Sequence, residues 1–334
     1  MARRNAVVLV ADAAQFSPSM FLAHRLRTLN RRPDVDIIVA SNAPPLLAQA
    51  RAFDADQMVL DLTSVDSGRR LPVRSYLTRA TYLRLFLPGL LRRRYARILY
   101  LDSDVYPESE QVFRLFDLDM GGHAVAAVRD LNVPFVPSHH NADELNATLG
   151  LKGDVRFIGL FGAKYLNGGV ELFDVDAFVA ARLEKKMMEL LRGRLANPLW
   201  MDQTLLNAVL RTDWLELSPS FNLITRAWLT SLRHFAPAAI VHFTGQLKPW
   251  SNSFALDHPA RAELIAFLAR SPWRTFIIEA NRVLTGSPAP PIEQPVPWGP
   301  VGAAAIIRYL RETSFADVEQ GLTTLNPAAL PASF

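Results

Sequence analysis

Two aspartates, Asp102 and Asp104, close the apolar run Arg97-Ile98-Leu99-Tyr100-Leu101 and stand just before Val105-Tyr106-Pro107. A run of this composition predicts a buried strand with the acids at its C-terminal tip. Residues two apart on a strand point to the same side, so the two carboxylates converge and Ser103 turns aside. Like charges brought together are costly unless a cation lies between them or one carboxyl keeps a proton. A divalent metal satisfies that requirement. The same letters also make an ordinary strand-end turn, and Asp-x-Asp alone is a weak motif. Its place favours the first reading, since ligands of α/β sheets bind outside the carboxyl ends of the strands.

A second chemical segment is Val241-His242-Phe243-Thr244-Gly245-Gln246-Leu247-Lys248-Pro249-Trp250. It runs from a strand through a glycine turn into a loop. His242 offers an imidazole to a metal and Lys248 a cation suited to phosphate. With two carboxylates and one imidazole the site is hard, which suits Mn2+, with Mg2+ as the alternative and zinc disfavoured.

The elements that must position these groups follow from periodicity. Strands are expected at residues 5–11, 36–40, 57–62, 97–101, 124–128, 165–174 and 238–244. Helices are expected at 18–29, 77–87, 176–192, from 200 onward and at 259–269. Strands alternating with helices predict an α/β fold with a wound sheet. Between 131 and 159 the periodicity fades, and a segment of that length in a compact domain reads as a lid or binding loop. Composition shifts again at Gly286-Ser287-Pro288-Ala289-Pro290-Pro291, a Pro-rich arm, before a short amphipathic stretch at 303–311. There is no internal repeat.

The 334 residues carry a net charge of +4, half are apolar, and there is no cysteine. Disulfides, thiolate zinc sites and cysteine nucleophiles are thereby excluded. No apolar run reaches the ~18 residues of a transmembrane helix. Met1-Ala2-Arg3-Arg4 before Asn5 to Ala11 imitates a signal peptide, but its apolar part is short and a first strand is the better reading. Cytoplasmic location is expected. Arginine clusters at 31–32, 69–70 and 92–94, with Lys185-Lys186, read as solvated faces, or alternatively as a peripheral contact with an anionic inner membrane face. No recognition-helix pattern or aromatic-interleaved basic stripe is present, so nucleic acid is not an expected partner.

The chemical segments together resemble a known family. Thr81-Tyr82-x-Arg84-Leu85, Tyr100-Leu101-Asp102-Ser103-Asp104, Asn167-Gly168-Gly169-Val170, Asp202-Gln203-x-x-Leu206-Asn207 and His242-Phe243-x-Gly245-x-x-Lys248-Pro249-Trp250 are similar in order and spacing to glycosyltransferase family 8. That family contains bacterial lipopolysaccharide galactosyl- and glucosyltransferases and glycogenin. The resemblance runs from the first strand to about residue 275. It implies a GT-A fold, a Rossmann-like mixed central sheet flanked by helices. The catalytic domain would be 1–275, with a donor-binding half to about 130 and an acceptor and lid part beyond, followed by an arm at 276–334.

The resemblance further implies retaining transfer of a hexose, galactose or glucose, from a UDP-sugar to a glycan or lipid-linked saccharide, with manganese. Matched by position, Asp102, Asp104 and His242 hold the metal, Ser103 lies in the donor site, and Lys248 with Gly245 holds the diphosphate. Ala11 and Asp12 contact uracil and ribose. Arg84, Asp130, Asn167, Gly168 and Asp202 face the donor sugar, Gln203 lies near the anomeric carbon, and Gln203 and Asp202 are the candidate catalytic residues. The chain departs from the family's polar cluster after the first strand, having Asp12-Ala13-Ala14-Gln15-Phe16. Two rivals stand beside this reading. One is a phosphatase of the haloacid dehalogenase type, whose aspartate strand is similar but which wants Thr or Val where Tyr106 stands. The other is a non-catalytic nucleotide-sugar-binding protein, motivated by Ala13 and Ala14.

Overall fold

The structure is a computed structural model, and it describes residues 3–67, 71, 79–130, 165–193, 195, 198, 200–224, 238–245, 248–252, 254 and 258–277. In chain order these form β1 (Arg4–Ala11), α1 (Phe16–Leu29), β2 (Val35–Ser41), α2 (Pro44–Phe53), β3 (Met58–Asp61) and α3 (Thr63–Asp66). Next come α4 (Ala80–Leu83), a 3₁₀ turn at Arg84–Phe86, α5 (Leu87–Leu91), β4 (Tyr95–Leu101), β5 (Val105–Pro107), a 3₁₀ helix at Glu110–Asp117 and β6 (Val125–Arg129). After these stand β7 (Leu166–Asp174), α6 (Val175–Ala180), α7 (Leu183–Arg192), α8 (Met201–Leu210), β8 (Leu215–Glu216), β9 (Leu223–Ile224), β10 (Ile240–His242) and α9 (Ala260–Ala269).

Seven strands make one sheet in the order β3-β2-β1-β4-β7-β6-β8. β1 is parallel to β2 and β4, whereas β7 runs antiparallel to both β4 and β6. The expected mixed, wound sheet is therefore present. Strand alternation divides the core between its two faces. Val7, Leu9, Leu99 and Leu101 face α1 and α9 with Phe16, Met20 and Phe267, while Val8, Ile98 and Tyr100 face Tyr82, Phe86, Phe178 and Trp214. With both faces covered the central strands read as nearly unbroken apolar runs, as parallel strands in α/β folds do.

Two features of this topology position the site. Chain order reverses between β1 and β4, which opens a crevice at their carboxyl ends beside Asp12 and Asp102. A second, three-stranded sheet in the order β5-β10-β9 folds over that end, with His242 paired to Val105 on one side and Ile224 on the other. Among the described helices none is long and apolar enough to cross a membrane.

Several boundaries differ from the periodic reading. The helix expected over 77–87 is a chain of short turns, α4, the 3₁₀ turn and α5, with Pro88 at the start of the last. The helix expected over 176–192 is two helices. Asp174 caps the first by accepting from the Ala177 N–H at 3.0 Å, and Arg182 in the left-handed region (φ 54°) parts it from the second. An apolar period is blind to such a break, because the same residues, Phe178, Leu183, Met187 and Leu191, are buried on both sides of it. The lid expected over 131–159, the Pro-rich arm, the stretch at 303–311 and Arg69-Arg70 lie outside the described residues.

Candidate active site

Asp102 lies just beyond the last residue of β4, and its N–H donates to the Gly169 carbonyl at 2.9 Å, tying the loop to β7. Asp104 begins the turn into β5, and its carbonyl accepts from the Phe243 N–H at 2.9 Å. That backbone bond ties the acids that follow β4 to the end of β10, which carries the imidazole. Ligand atoms of Asp102, Asp104 and His242 all lie within 4.8 Å of one another. His242 Nε2 stands 3.3 Å from Asp104 Oδ1.

The imidazole has a defined orientation. Asn222 donates its amide N–H to Asn167 Oδ1 at 2.8 Å, so its oxygen faces His242 Nδ1 at 2.9 Å and accepts a hydrogen bond from it. Nε2 is left facing the aspartates, the arrangement that metal-binding histidines take from their outer neighbours. Two carboxylates and one oriented imidazole fit a hard divalent cation. Gly169 makes room for the ring, since a methyl group there would overlap His242 Cε1 and Nδ1.

Lys248 Nζ pairs with Asp104 Oδ2 and also donates to the Phe243 carbonyl at 2.7 Å. Burial pushes the Asp104 carboxyl up, but Lys248 and His242 outweigh it and hold the group well below the usual carboxylate range. Gly245, between histidine and lysine, has φ +69°, a conformation that favours glycine. Nothing lies within 4 Å of where its side chain would be.

A second cluster surrounds Arg84. Its guanidinium pairs with Asp202 and the Gly168 carbonyl, stands 3.4 Å from Asp102 Oδ1, and lies over the Tyr100 ring at 4.5 Å. A Cβ on Gly168 would come within 2.8 Å of Arg84 Nη2, so a side chain there would push the guanidinium aside. Burial pushes the Asp202 carboxyl up, and Arg84 only partly opposes it.

A chain of amides joins the two clusters. Asn167 donates to Asp130 Oδ2 at 3.1 Å, and Gln203 donates to the same oxygen at 3.0 Å. Gln203 also accepts from the Gly168 N–H at 2.9 Å. Asn167 Oδ1 accepts from the Gly169 N–H at 2.9 Å and from Asn222. The path Gln203, Asp130, Asn167, Asn222, His242, Asp104, Lys248 is thus continuous.

Ala11 is buried at the end of β1. Asp12 accepts from the N–H groups of Ala14 and Gln15 at 2.9 and 3.0 Å, closing a local turn. Ser103 donates to Gln15 Oε1 at 2.8 Å, bridging the loops after β4 and β1 across the crevice. The sequence residues are therefore all brought to one end of the sheet, Ala11, Asp12 and Ser103 on the β1 side and the rest around β7.

Three residues were missed. Asn222 and Gln15 have no local pattern that marks them. Glu171 does, for it is a charged residue in the buried run Val170-Glu171-Leu172-Phe173. Its side chain is 0 % exposed, and neither oxygen has a hydrogen-bond partner among the described residues. Arg84 Nε is 3.8 Å away. Burial, only partly offset by Arg84, pushes its carboxyl up to about 8.

The relatives accord with this geometry. A sequence model described as glycosyl transferase family 8 matches residues 34–253. The chain belongs to that family, and it is a glycosyltransferase with the GT-A fold. It is 28% identical over 216 residues to general stress protein A of Bacillus subtilis (strain 168), covering 60% of this chain and 68% of that protein. It is 26% identical over 236 residues to lipopolysaccharide 1,2-glucosyltransferase of Escherichia coli (strain K12), covering 67% of this chain and 65% of that one. In three dimensions it is similar to an active-site mutant of LgtC, with TM-score 0.60 and 19% identity over 78% of this chain and 95% of that one, which bears on fold alone. The phosphatase and non-catalytic readings find no support in these matches.

Two predictions follow from the contacts. Gly169→Ala should displace the His242 ring and weaken divalent-cation binding by about ten-fold or more, read by titration calorimetry, with the circular dichroism spectrum unchanged. Glu171 titrates near 4.5 when unfolded and keeps its proton to about 8 when folded. The folded state therefore binds the extra proton between these values, and stability falls as pH rises through that window. Glu171→Leu should accordingly melt higher than wild type, by a margin that widens from pH 5 to pH 8 in thermal scans.

Proposed function

We propose that the chain moves a hexose, galactose or glucose, from a UDP-sugar to a saccharide acceptor of the lipopolysaccharide type, with retention at the anomeric carbon and a divalent cation, manganese before magnesium. The observation that carries this reading is the convergence of Asp102, Asp104 and an Nε2-directed His242 beside Lys248, in a chain whose relatives include a lipopolysaccharide glucosyltransferase.

Departure of the sugar from UDP leaves negative charge on the diphosphate, and a bound divalent cation supplies positive charge where that charge develops. Asp102, Asp104 and His242 would hold the ion. Lys248, on the turn opened by Gly245, gives a second positive group for the phosphate oxygens, exchanging its contact with Asp104 for one with the leaving group. Ala11, Asp12 and Ser103 lie along the crevice that would take the nucleoside.

Retention needs either a side-chain nucleophile or attack from the face that UDP leaves. Asp202, the nearest carboxylate in sequence to Gln203, is buried and committed to Arg84. Gln203 is held by Asp130 and the Gly168 N–H, and a carboxamide is a poor nucleophile. These contacts favour front-face displacement, with Gln203 presenting its amide to the reacting carbon and Asp130, Asn167, Gly168 and Arg84 orienting the sugar. The exposed Arg92, Arg93 and Arg94, and Lys185 and Lys186 on α7, offer a peripheral contact for an anionic membrane that carries a lipid-linked acceptor.

UDP release should be observed with one of UDP-glucose and UDP-galactose, dependent on added manganese and accelerated by truncated lipopolysaccharide cores. Asp104→Ala and His242→Ala should each lower that rate at least about a hundred-fold in folded protein; wild-type rates in either variant would refute the metal assignment.

A further inference from the structure

Glu171 has no place in the reaction just described, yet it lies within one side chain of it. It sits on β7 two residues beyond Gly169 and pairs in register with Tyr100 of β4 and Ala127 of β6. No part of its side chain reaches solvent, and both oxygens lack a hydrogen-bond partner among the described residues. A buried, unpartnered carboxyl is costly, and an apolar residue in that place would stabilise the strand. A polar group kept at such a cost beside a reaction site is a mark of function rather than folding.

The group it faces is Arg84. Three carboxylates surround this guanidinium among the described residues: Asp202 in direct contact, Asp102 at 3.4 Å and Glu171 at 3.8 Å. The first two have other work under the proposed function, Asp102 toward the cation and Asp202 toward the donor sugar. When donor recruits them, Arg84 loses acceptors inside a slot that is closed by the Tyr100 ring and by Gly168. Arginine cannot shed its charge and needs replacements. Glu171 is the remaining carboxyl within a small side-chain movement.

We propose that Glu171 is a positioning residue of the transfer reaction: its carboxyl accepts the Arg84 guanidinium when the donor engages Asp202, which keeps Arg84 aligned with the sugar and frees Asp202 to bind it. The inference rests on the reading of the site as a UDP-hexose site. Glutamine would keep one acceptor oxygen in the same place, and leucine would keep none. The role therefore differs from a structural one in its signature, because removing the acceptor stabilises the fold while slowing the chemistry.

The test measures UDP release and thermal melting for wild type, Glu171→Leu and Glu171→Gln, with manganese and the preferred UDP-hexose. Glu171→Leu should lower kcat by about ten-fold with donor KM within about two-fold, since only the reacting end is disturbed. Its melting temperature should equal or exceed that of wild type. Glu171→Gln should recover most of the turnover. In an Arg84→Lys background, the Leu substitution should have a much smaller effect. Turnover of Glu171→Leu equal to wild type would overturn the proposal, as would a Gln variant as slow as Leu, or a loss of turnover matched by a fall in melting temperature. A wild-type protein that releases no UDP from either donor would instead overturn the functional reading, and this inference with it.

Discussion

Negative charge crowds one end of this sheet, and its neutralisation constrains everything around it. Asp102, Asp104, Asp202 and Glu171 reach the same region from three elements, Asp202 and Glu171 buried and Asp102 and Asp104 partly open to solvent. Among the described residues, Lys248 and His242 answer them at Asp104, and Arg84 among the other three. One lysine and one arginine do not balance four carboxylates. Either protons or a further cation must make up the difference, and the structure shows both tendencies. Asp104, with lysine and histidine against it, stays ionised, while Asp202 and Glu171 are pushed toward the protonated form. The anionic half of the site is thus the half that presents His242 Nε2.

Such crowding requires a rigid frame. Three amides and one shared carboxylate supply it here, Asn167 at the centre with Asn222, Gln203 and Asp130 around it. Every polar atom in that path that is buried has a defined partner, so each side chain has one orientation. The two glycines of β7 belong to the same frame. Gly168 admits the guanidinium and Gly169 the imidazole, so one dipeptide sets the spacing of both clusters.

The places of the main strands along the chain were legible because apolar runs are local, whereas their order within the sheet was not read from the sequence. The position of Asp102, at the tip of such a run, was legible too. The contact between Asp104 and His242 was not legible from periodicity, because it depends on β5 and β10, each three residues long, pairing across a long separation. It was reached instead from the ligand chemistry of the three side chains, and the motif resemblance supported it. Asn222 stayed hidden since its role comes from two distant partners, His242 and Asn167. Glu171 was visible as a charge in a buried strand, but its meaning required Arg84 to be placed beside it. The break at Arg182 shows the opposite limit, where burial persists through a change of helix and sequence period gives no sign.

The frame also bears on how the anomeric bond is exchanged. A carboxylate that attacks carbon must be ionised, close and unencumbered. Asp202 meets none of these conditions fully: burial raises its proton affinity, Arg84 occupies it, and it is 3 % exposed. Gln203 is neutral at every pH and is braced at both ends of its amide. Under the proposed retaining transfer, a site built around a braced amide would suit stabilising charge on a sugar while bonds exchange on one face better than holding that sugar covalently. Freeing Asp202 from Arg84 would make it a better hydrogen-bond acceptor for a sugar hydroxyl. It would not make it a nucleophile, because the guanidinium, passed to Glu171, remains within the same buried slot.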